Sequence, residues 1–454
     1  MSATRELVTF AATRGFGDLP AEVVRESKRC ILDFLGVTIG ASDDEAPRIA
    51  LDTVGELGGA PQATIVAYGT RTSVMHAALV DGILSHVLDF DDTHIPTILH
   101  PTGPLMAAGF PIAEWKGRSG RDLIAAHALG FEVEARASLA LYPEHYDRGW
   151  HMTGTTGTLG AAVSAGRLLG LDAGQMMHAV GIAATQAAGH REQFGAMTKS
   201  LHSGKAASNG VLSALLASRG YTAADESLEG RRGMFHVMST RADVGELTAR
   251  LGERWEIFRN GFKPYSCGVV THPGIDAVRR LGTVHGVRPD DVERIELRVH
   301  PLVLELTGKT DPRTGLEGKF SIAFATAIAL IEGTARQKQF TDEKVRRPQV
   351  MALRDRVAPT ADSDLSHTEA IATAFLKNGT SFREHVTAAT GTPENPISDA
   401  ELRGKFLDLV EPIIGLSTGE RLADTIGRLE TLDSIGELLP LTVSHAAPAA
   451  GSRA

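Results

Sequence analysis

The sequence predicts a mainly α-helical fold in which a large all-α domain is followed by a smaller α+β domain. Two observations support this prediction. Before residue 290, apolar residues recur three, four or seven positions apart, which is the spacing of a helix face turned towards a core. At "VERIELRVH" (292–300) the period changes to alternation of apolar and charged residues, which is typical of a half-buried strand.

The all-α domain is predicted over residues 1–267. Its first long helix lies in "LPAEVVRESKRCILDFLGVTIGAS", where Val23, Cys30 and Phe34 fall on one face. Almost no strand-like alternation interrupts the helical runs that follow. These runs are "MHAALVDGILSHVLDF", "RDLIAAHALGFEVEARASLAL", "GTLGAAVSAGRLLGL", "AGQMMHAVGIAATQAAG" and "SGKAASNGVLSALLASRG".

The α+β domain is predicted over residues 268–400. After the strand at 292–300, two helical runs follow in "KFSIAFATAIALIEG" and "EKVRRPQVMALRDRV". Two further apolar runs flank "KNGT", and its Asn378-Gly379 pair is a strong signal for a β-hairpin turn. The domain therefore combines at least three strands with helices.

The C-terminal segment is predicted to be helical again and to return to the first domain over residues 401–443. In "SDAELRGKFLDLVEPII", either Ser398 or Asp399 is suited to cap the helix N-terminus. The last residues, 444–454, read "SHAAPAAGSRA", and we expect this small, polar tail to be disordered.

Composition restricts the class of partner and compartment. The formal net charge of −9 argues against a nucleic-acid partner, which requires a basic face. Cys30 and Cys267 are the two cysteines, too few for a disulfide framework, which favours a reducing compartment. No signal peptide is recognisable, and no apolar run reaches the ~18 residues of a membrane span. We therefore expect a cytoplasmic protein that does not associate with membranes.

Four stretches place ionisable side chains beside apolar or glycine-rich sequence, and they are the candidates for chemistry. Each contains groups that can carry protons, bind anions or hold metal ions. The stretches and their groups are "HVLDFDDTHIPTILHP" with His86, Asp89, Asp91, Asp92, His94 and His100; "HYDRGWHMTGTTGTLG" with Tyr146, Arg148 and His151; "MTKSLHSGKAASNG" with Lys199, His202 and Lys205; and "NGFKPYSCGVVTHPG" with Lys263, Tyr265, Cys267 and His272.

Each stretch is also compatible with a simpler role. The first can be a polar helix end or a metal site, but neither HExxH nor a Cys/His zinc spacing is present, so no metal is predicted. "TGTTGTLG" lacks the lysine of a phosphate-binding loop. Lys199, His202 and Lys205 share a helix face, which also suits a surface stripe. Cys267 is expected to be a buried apolar residue and not a nucleophile.

Together the stretches resemble the MmgE/PrpD family, which includes 2-methylcitrate dehydratase, cis-aconitate decarboxylase and iminodisuccinate epimerase. The order and spacing of the motifs carry the resemblance over almost the whole chain. These motifs are "LPAEVVRESKRCILDFLGVTIGAS", "AALVDGILSHVLDFDDTH", "HPTGPLMAAG", "GWHMTGTTGTLGAA", "TKSLHSGKAASNG", "FKPYSCGVVTHPGIDA" and "GTPENPISDAELRGKF". The resemblance implies a helical domain with a smaller α+β lid, a homodimer, and catalysis without a metal or organic cofactor.

The resemblance also implies a set of catalytic residues. The family's positions correspond here to Asp89, His100, His151, Lys199 and Lys263, and all five residue types match. One position departs from the decarboxylase pattern, because the tyrosine of its lid helix aligns with Phe324 in "KFSIAFATA". Phe324 is therefore expected to contact substrate without a hydroxyl group.

The implied reaction is removal of a proton or of CO₂ next to a carboxylate of a small di- or tricarboxylate. Two lysines, Lys199 and Lys263, would stabilise the developing negative charge. Two histidines, His100 and His151, would transfer protons. Asp89 would orient or charge-stabilise one of these imidazoles.

The remaining polar groups are assigned supporting roles. Tyr146 and His202 are expected to bind the other substrate oxygens. Asp91 and Asp92 are expected to hold the loop through backbone hydrogen bonds, while His86 and His94 are expected to support the site or the structure. Gly261 and Gly268 are candidate hinges of the lid.

A hydro-lyase of the 2-methylcitrate dehydratase type is the activity expected first. An epimerase of the iminodisuccinate type and a carboxy-lyase of the cis-aconitate type are the alternatives within the family. A carboxylate-binding protein without catalysis is the alternative of another class.

Overall fold

The computed structural model describes residues 2–443, so the tail predicted to be disordered at 444–454 lies outside the described residues. The first part of the chain is built from helices. They are α1 (Ala3–Thr13), α2 (Ala21–Gly40), α3 (Glu45–Leu57), α4 (Val74–Val87), α5 (Thr102–Lys116), α6 (Gly120–Leu141), α7 (Glu144–Asp147), α8 (Met152–Leu169), α9 (Ala173–Ala184), α10 (Thr198–Ser218) and α11 (Met234–Met238).

The core of this part is a bundle in which α10 packs against α4, α5, α8 and α9. Glycines allow two pairs of these helices, α4 with α10 and α8 with α10, to approach unusually closely. A Cβ atom on Gly82 of α4 would lie 2.5 Å from the Cα of Gly204 in α10, and one on Gly210 would lie 2.5 Å from the side chain of Ala161 in α8. The many small residues of the sequence are therefore required by the tight packing of these helices.

The later part mixes a sheet with helices. Its helices are α12 (His272–His285), α13 (Pro301–Thr307), α14 (Gly315–Gly318), α15 (Ile322–Glu332), α16 (Asp342–Val345) and α17 (Pro348–Arg354). Its strands are β5 (Val292–Val299), β6 (Val357–Ala361), β7 (Ala370–Leu376) and β8 (Ser381–Val386), in the spatial order β6-β5-β7-β8. The earlier, helical part of the chain also contains four strands of two residues each. They are β1 (Ala63–Thr64), β2 (Arg71–Thr72), β3 (Thr93–His94) and β4 (Asn260–Gly261).

The sheet confirms the strand and hairpin predictions and adds one strand. β5 covers the alternating segment, and β7 and β8 pair antiparallel across the turn that contains Asn378-Gly379. The added strand, β6, pairs parallel to β5 at the edge of the sheet and contains Pro359. Proline is tolerated at a sheet edge because no neighbour needs its missing N–H. The short strands β1 to β4 are a further departure from the all-helical prediction.

The C-terminal helices α18 (Asp399–Ile414) and α19 (Leu416–Gly427) pack against α2 near the start of the chain. Ser398 caps α18 with a capping box to Glu401, which decides between the two predicted caps. Lys405 of α18 pairs with Asp33 of α2 at 2.7 Å, and both side chains are buried. No helix within residues 2–443 is both long and apolar enough to cross a bilayer.

Candidate active site

The candidate active site lies where the loop after α4 meets the N-terminal ends of α8 and α10 and the segment after β4. The loop begins with Asp89 in the left-handed backbone region, at a φ of 51°. Aspartate is one of the few residues that adopts this conformation readily. Ile98 also has a positive φ, 57°, which is strained for a β-branched residue. The loop is thus held in an unusual shape by its surroundings.

The two-residue strands β3 and β4 bring distant parts of the sequence together. Thr93 pairs with Gly261, and His94 pairs with Asn260, in an antiparallel register. This pairing places Lys263, which follows β4, beside Asp89, which precedes β3. The two residues are 174 positions apart in the sequence, and their side chains are hydrogen-bonded.

Asp89 lies between two lysines. Its Oδ2 is 3.0 Å from the Nζ of Lys199, and its Oδ1 accepts a hydrogen bond from the Nζ of Lys263. Burial alone would raise the pKa of Asp89, but the two ammonium groups hold it well below its usual value. Burial lowers the pKa of Lys199, against the effect of Asp89. Asp89 is therefore a carboxylate that positions two cations. No imidazole is hydrogen-bonded to it within residues 2–443, and its predicted charge effect on an imidazole such as His100 stays a prediction.

Asp91 takes the orienting role instead. Its Oδ2 is 2.7 Å from the Nδ1 of His86, and its Oδ1 is 3.6 Å from the Nδ1 of His100. Burial would raise the pKa of Asp91, but the two imidazoles lower it, so the carboxylate is ionised. The expected backbone hydrogen bonds are not made by the Asp91 carboxylate within residues 2–443.

Asp92 fixes the loop, but mainly through side chains. Its Oδ2 accepts hydrogen bonds from the Oγ1 of Thr102 at 2.5 Å and the Nδ2 of Asn260 at 2.7 Å. The one backbone bond is a longer contact from the Thr102 N–H, at 3.3 Å. Burial raises the pKa of Asp92 to about 7. Asp92 thus links the loop to the start of α5 and to β4.

The histidines form a connected group. His151, the residue before α8, has its Nδ1 2.9 Å from the Nδ1 of His202 in α10. The rings of His86 and His100 have centroids 4.8 Å apart. Burial lowers the pKa values of His100 and His151 well below 6.5 and that of His202 to about 4. These imidazoles are therefore neutral in the free protein at neutral pH.

A small cavity of about 30 Å³ lies at the meeting point of these groups. Such a volume holds about one or two water molecules. Asp89, His100, Tyr146, His151 and Lys199 line it together with residues 268–270, Thr307 and apolar residues. The structure thus brings four of the five expected catalytic residues to one cavity wall. The fifth, Lys263, reaches that wall through Asp89.

Two expected substrate contacts are placed differently. His202 does not line the cavity and reaches it through His151. Phe324 is fully buried in a separate apolar cluster, where its ring lies 5.8 Å from that of Phe340, and it lines neither of the two cavities described for this site, so its contact with substrate stays a prediction. Ile328, one turn further along α15, belongs to the same cluster. Lys205, one turn beyond His202, is exposed.

A second, larger cavity adjoins the first and was not expected from the sequence. Its volume is about 370 Å³, and it shares Asp89, Lys199 and Phe320 with the smaller one. Lys319 also lines it, and burial lowers the pKa of this lysine to about 8. The ammonium of Lys319 donates to Gln337 Oε1 at 2.9 Å and to the carbonyl of Leu88. Lys319 lies shortly before an apolar helix, and no pattern in the sequence around it predicted that it would line a cavity.

The same side chains are also of the types that bind metal ions. One ligand atom from each of His86, His100 and His151 lies within 4.8 Å of the others, and the same holds for Asp89, Asp91 and His100. The sequence-based prediction that the protein uses no metal cofactor stays a prediction.

His94, by contrast, is structural. Its Nδ1 is 2.8 Å from the Oγ1 of Thr97, and its Nε2 is 3.4 Å from the Oε2 of Glu256. Cys267 is fully buried, and burial raises its thiol pKa to about 12, which agrees with the expectation of an unreactive side chain.

Comparison with known proteins agrees with this architecture. Residues 5–247 match the MmgE/PrpD N-terminal domain, and residues 265–431 match the MmgE/PrpD C-terminal domain. Similar characterised proteins include a cis-aconitate decarboxylase of Aspergillus terreus, which is 28% identical over 96% of this chain and 95% of its own. The cis-aconitate decarboxylases of Mus musculus and Homo sapiens are each 27% identical, over 92% and 99% of this chain and 89% and 96% of their own. The chain belongs to the MmgE/PrpD family.

Proposed function

We propose that the protein is a lyase that acts next to a carboxylate of a small polycarboxylate, and that it decarboxylates a tricarboxylate of the cis-aconitate type. The relatives named cis-aconitate decarboxylase support this reaction better than the hydro-lyase expected first from the sequence. The similarity extends over nearly the full length of both chains, so both domains of those enzymes have counterparts here.

The observation that carries the proposal is the group of Asp89, Lys199 and Lys263 beside two buried histidines. Each ammonium has three N–H donors, and Asp89 occupies only part of them. Lys199 also lines the small buried cavity, where hydrogen bonds from an ammonium to a carboxylate are strong. The site therefore offers a fixed anion-binding end next to groups that can carry protons.

In the proposed reaction the bond between the leaving carboxylate and its carbon breaks, and CO₂ departs. The electron pair stays on that carbon and is delocalised through the neighbouring double bond towards a second carboxylate. Lys199 and Lys263 stabilise this charge as it develops. A proton from His100 or His151 then bonds to one of the carbons that share this electron pair, which completes the product.

The substrate itself helps to charge the proton donor. Burial and the neighbouring cations keep His100 and His151 neutral in the free protein. A bound tricarboxylate brings negative charge within a few ångströms of both rings, which favours the imidazolium form. We therefore propose that substrate and proton enter the site together.

Dehydration is the second candidate, because two histidines, His100 and His151, line the same cavity and could act as a base and an acid. A hydro-lyase would use one neutral imidazole to remove a proton and a second, protonated one to release water. An epimerase would instead return the proton to the opposite face.

A substrate panel separates these reactions. The purified protein is incubated in D₂O with cis-aconitate, citrate, 2-methylcitrate or iminodisuccinate, and products are followed by mass spectrometry and NMR. We expect cis-aconitate to lose the mass of CO₂ and to gain deuterium at one carbon. Loss of water from a citrate would support dehydration. Exchange of one hydrogen for deuterium, with no loss of water or CO₂, would support epimerisation. Tight binding without turnover across the panel would contradict catalysis.

The homodimer and the lid hinge at Gly261 and Gly268 also remain proposals, supported by the family resemblance. Light scattering coupled to gel filtration measures the mass in solution. A mass of one 48.2 kDa chain would contradict the homodimer.

A further inference from the structure

Three imidazoles meet at the inner end of the candidate site. His86, His100 and His151 are all buried, and one ring nitrogen of each lies within 4.8 Å of a ring nitrogen of the other two. The ring centroids are 4.8 Å apart for His86 and His100, 5.6 Å for His86 and His151, and 6.3 Å for His100 and His151. The proposed reaction uses two of these rings and gives His86 no part in proton transfer.

The Nδ1 atom of each ring is already engaged by the protein. It faces the Asp91 carboxylate in His86, the Asp92 carbonyl oxygen at 3.0 Å in His100, and His202 in His151. The Nε2 atoms remain, and that of His86 is buried with no hydrogen-bond partner among residues 2–443. His86 and His100 are thus held through Nδ1 by a carboxylate and a carbonyl, with Nε2 left over, which is the usual arrangement of a metal-binding histidine, whereas His151 is held by a second imidazole.

The charges around the cluster permit a cation. Lys199 and Lys263 would repel it, but Asp89 and Asp91 are ionised and offset both ammonium groups. Asp89, Asp91 and His100 also form a second group whose ligand atoms lie within 4.8 Å of one another. A cation bound at His100 would therefore have both carboxylates nearby.

We infer that His86, His100 and His151 bind one divalent transition-metal ion of the Zn²⁺ class, and that the ion blocks the site. Imidazole nitrogen is a preferred ligand of Zn²⁺, Ni²⁺ and Cu²⁺, and three histidines with one open position form a known type of zinc site. The ion would occupy His100 and His151, the two proposed proton carriers. It would therefore act as an inhibitor, and the reaction itself would need no metal.

Zinc binding can be measured without any assay of turnover. The full-length protein is treated with a chelator, dialysed, and titrated with Zn²⁺ in competition with a chromophoric chelator. We expect one tight equivalent per chain. His86→Gln removes one ligand and should weaken binding at least about tenfold, whereas His94→Gln, a buried histidine bonded to Thr97 and Glu256, should not change it. Equal affinity in wild type and His86→Gln overturns the inference.

A spectroscopic measurement on the wild-type protein guards against a variant that does not fold. Co²⁺ in place of Zn²⁺ should give the visible absorption of a site with nitrogen and oxygen ligands and low coordination number. A thiolate-to-metal band in the near ultraviolet would place the ion at Cys30 or Cys267 and overturn the inference. Absence of one saturable equivalent would do so as well. Because both readouts are binding, they stand even if the proposed decarboxylation fails.

Discussion

At the scale of single residues, Lys199 offers the sharpest test of the proposed site because its own helix contains a control. Lys199 is buried and contacts Asp89, whereas Lys205 lies six residues further along α10 and is exposed. We expect Lys199→Ala to lower kcat for cis-aconitate by about 10²- to 10³-fold, the usual effect of removing one donor to a developing anion. Lys205→Ala should leave kcat unchanged.

The measurement is steady-state kinetics beside circular dichroism of both variants. Lys263 continues to pair with Asp89 in Lys199→Ala, so we expect the fold to persist. A Lys199→Ala protein that is folded and retains kcat within about threefold of wild type would remove this lysine from the chemistry.

The pH dependence of the reaction follows from the lowered pKa values of His100 and His151. Decarboxylation needs a protonated imidazole, and kcat/KM reports the protonation state of the free enzyme. Because both pKa values lie well below 6.5, the protonated fraction keeps growing as the pH falls through 6.5. We expect kcat/KM to rise from about pH 7.5 to about pH 5.5 without a plateau near 6.5.

Ionisation of the substrate also changes in this range and needs its own control. Inhibition by a saturated tricarboxylate that cannot react is measured over the same pH values and separates binding from proton transfer. A plateau of the corrected kcat/KM near pH 6.5 would show that the proton donor has an ordinary histidine pKa.

The chemical types of the site residues could be predicted from the sequence, but their pairings could not. The stretch 86–101 contains the right carboxylates, but Asp89 and Asp91 are two positions apart, and residue type alone does not say which of them contacts the lysines and which the imidazoles. What separates them is the positive φ of Asp89, which turns its carboxylate towards Lys199 and Lys263 and leaves Asp91 facing the imidazoles. Backbone geometry of this kind depends on the surrounding fold and has no signature in residue type alone.

At the scale of secondary-structure elements, α18 joins the end of the chain to the catalytic loop. The Nζ of Lys405 pairs with Asp33 of α2 and donates a hydrogen bond of 2.6 Å to the Phe90 carbonyl, beside Asp89. Burial disfavours the charged form of both partners, raising the pKa of Asp33 and lowering that of Lys405. Removal of only one partner would therefore leave a buried, unpaired group.

We expect Lys405→Met to lower the free energy of unfolding by about 3–5 kcal/mol, the usual cost of breaking a buried pair. The double variant Asp33→Asn/Lys405→Met should recover part of this loss because no carboxylate remains unpaired. Urea unfolding of both single variants and the double variant measures the coupling. Arg403→Met on the same helix is the control, since the pair that Arg403 makes with Asp424 of α19 is exposed and worth at most about 1 kcal/mol. Strict additivity of the two substitutions would contradict the argument.

Local sequence patterns predicted the long elements and missed the short ones. The hairpin at Asn378-Gly379 and the cap at Ser398 depend on neighbouring residues, so their signals lie within a few positions. β3 and β4 have two residues each and exist because distant backbones meet, which no local pattern encodes. β6 escaped prediction because Pro359 usually argues against a strand and only its place at the sheet edge makes it acceptable.

At the scale of the whole molecule, the sizes of the two cavities restrict how substrate can bind. The cavity beside the histidines, at about 30 Å³, is too small for a six-carbon tricarboxylate, while its neighbour measures about 370 Å³. The walls of the smaller cavity include Tyr146 from the helical part and residues 268–270 from the start of the sheet-containing part. Relative movement of these two parts would enlarge it, which is the physical reason to expect an opening step before catalysis.

The many buried histidines should also make the whole fold sensitive to acid. Burial lowers the pKa of His127 to about 3, and those of His145 and His202 to about 4. Each imidazole is neutral in both states at pH 7, but below pH 6.5 the unfolded chain takes up protons that the folded protein cannot. Stability is therefore lost progressively as the pH falls from 6.5 towards these lowered values. Buried carboxyls with raised pKa values, such as Asp92, act in the opposite direction.

A single histidine isolates the effect from these opposing contributions. His127 is fully buried, and its Nε2 is 3.1 Å from the Oγ1 of Thr102, a contact that the amide of His127→Gln can retain. The difference in unfolding free energy between His127→Gln and wild type should shift in favour of the variant by about 2–3 kcal/mol when the pH is lowered from 7 to 4.5. The reason is that the wild-type protein loses about 1.4 kcal/mol per pH unit by keeping His127 unprotonated, and the variant does not. Urea unfolding at both pH values gives this difference, and His236→Gln, which replaces an exposed histidine, should show none. If His127→Gln and wild type change equally in stability between the two pH values, the unfolded chain binds no more protons at position 127 than the folded protein does. The acid sensitivity of the fold would then have to come from its carboxylate pairs.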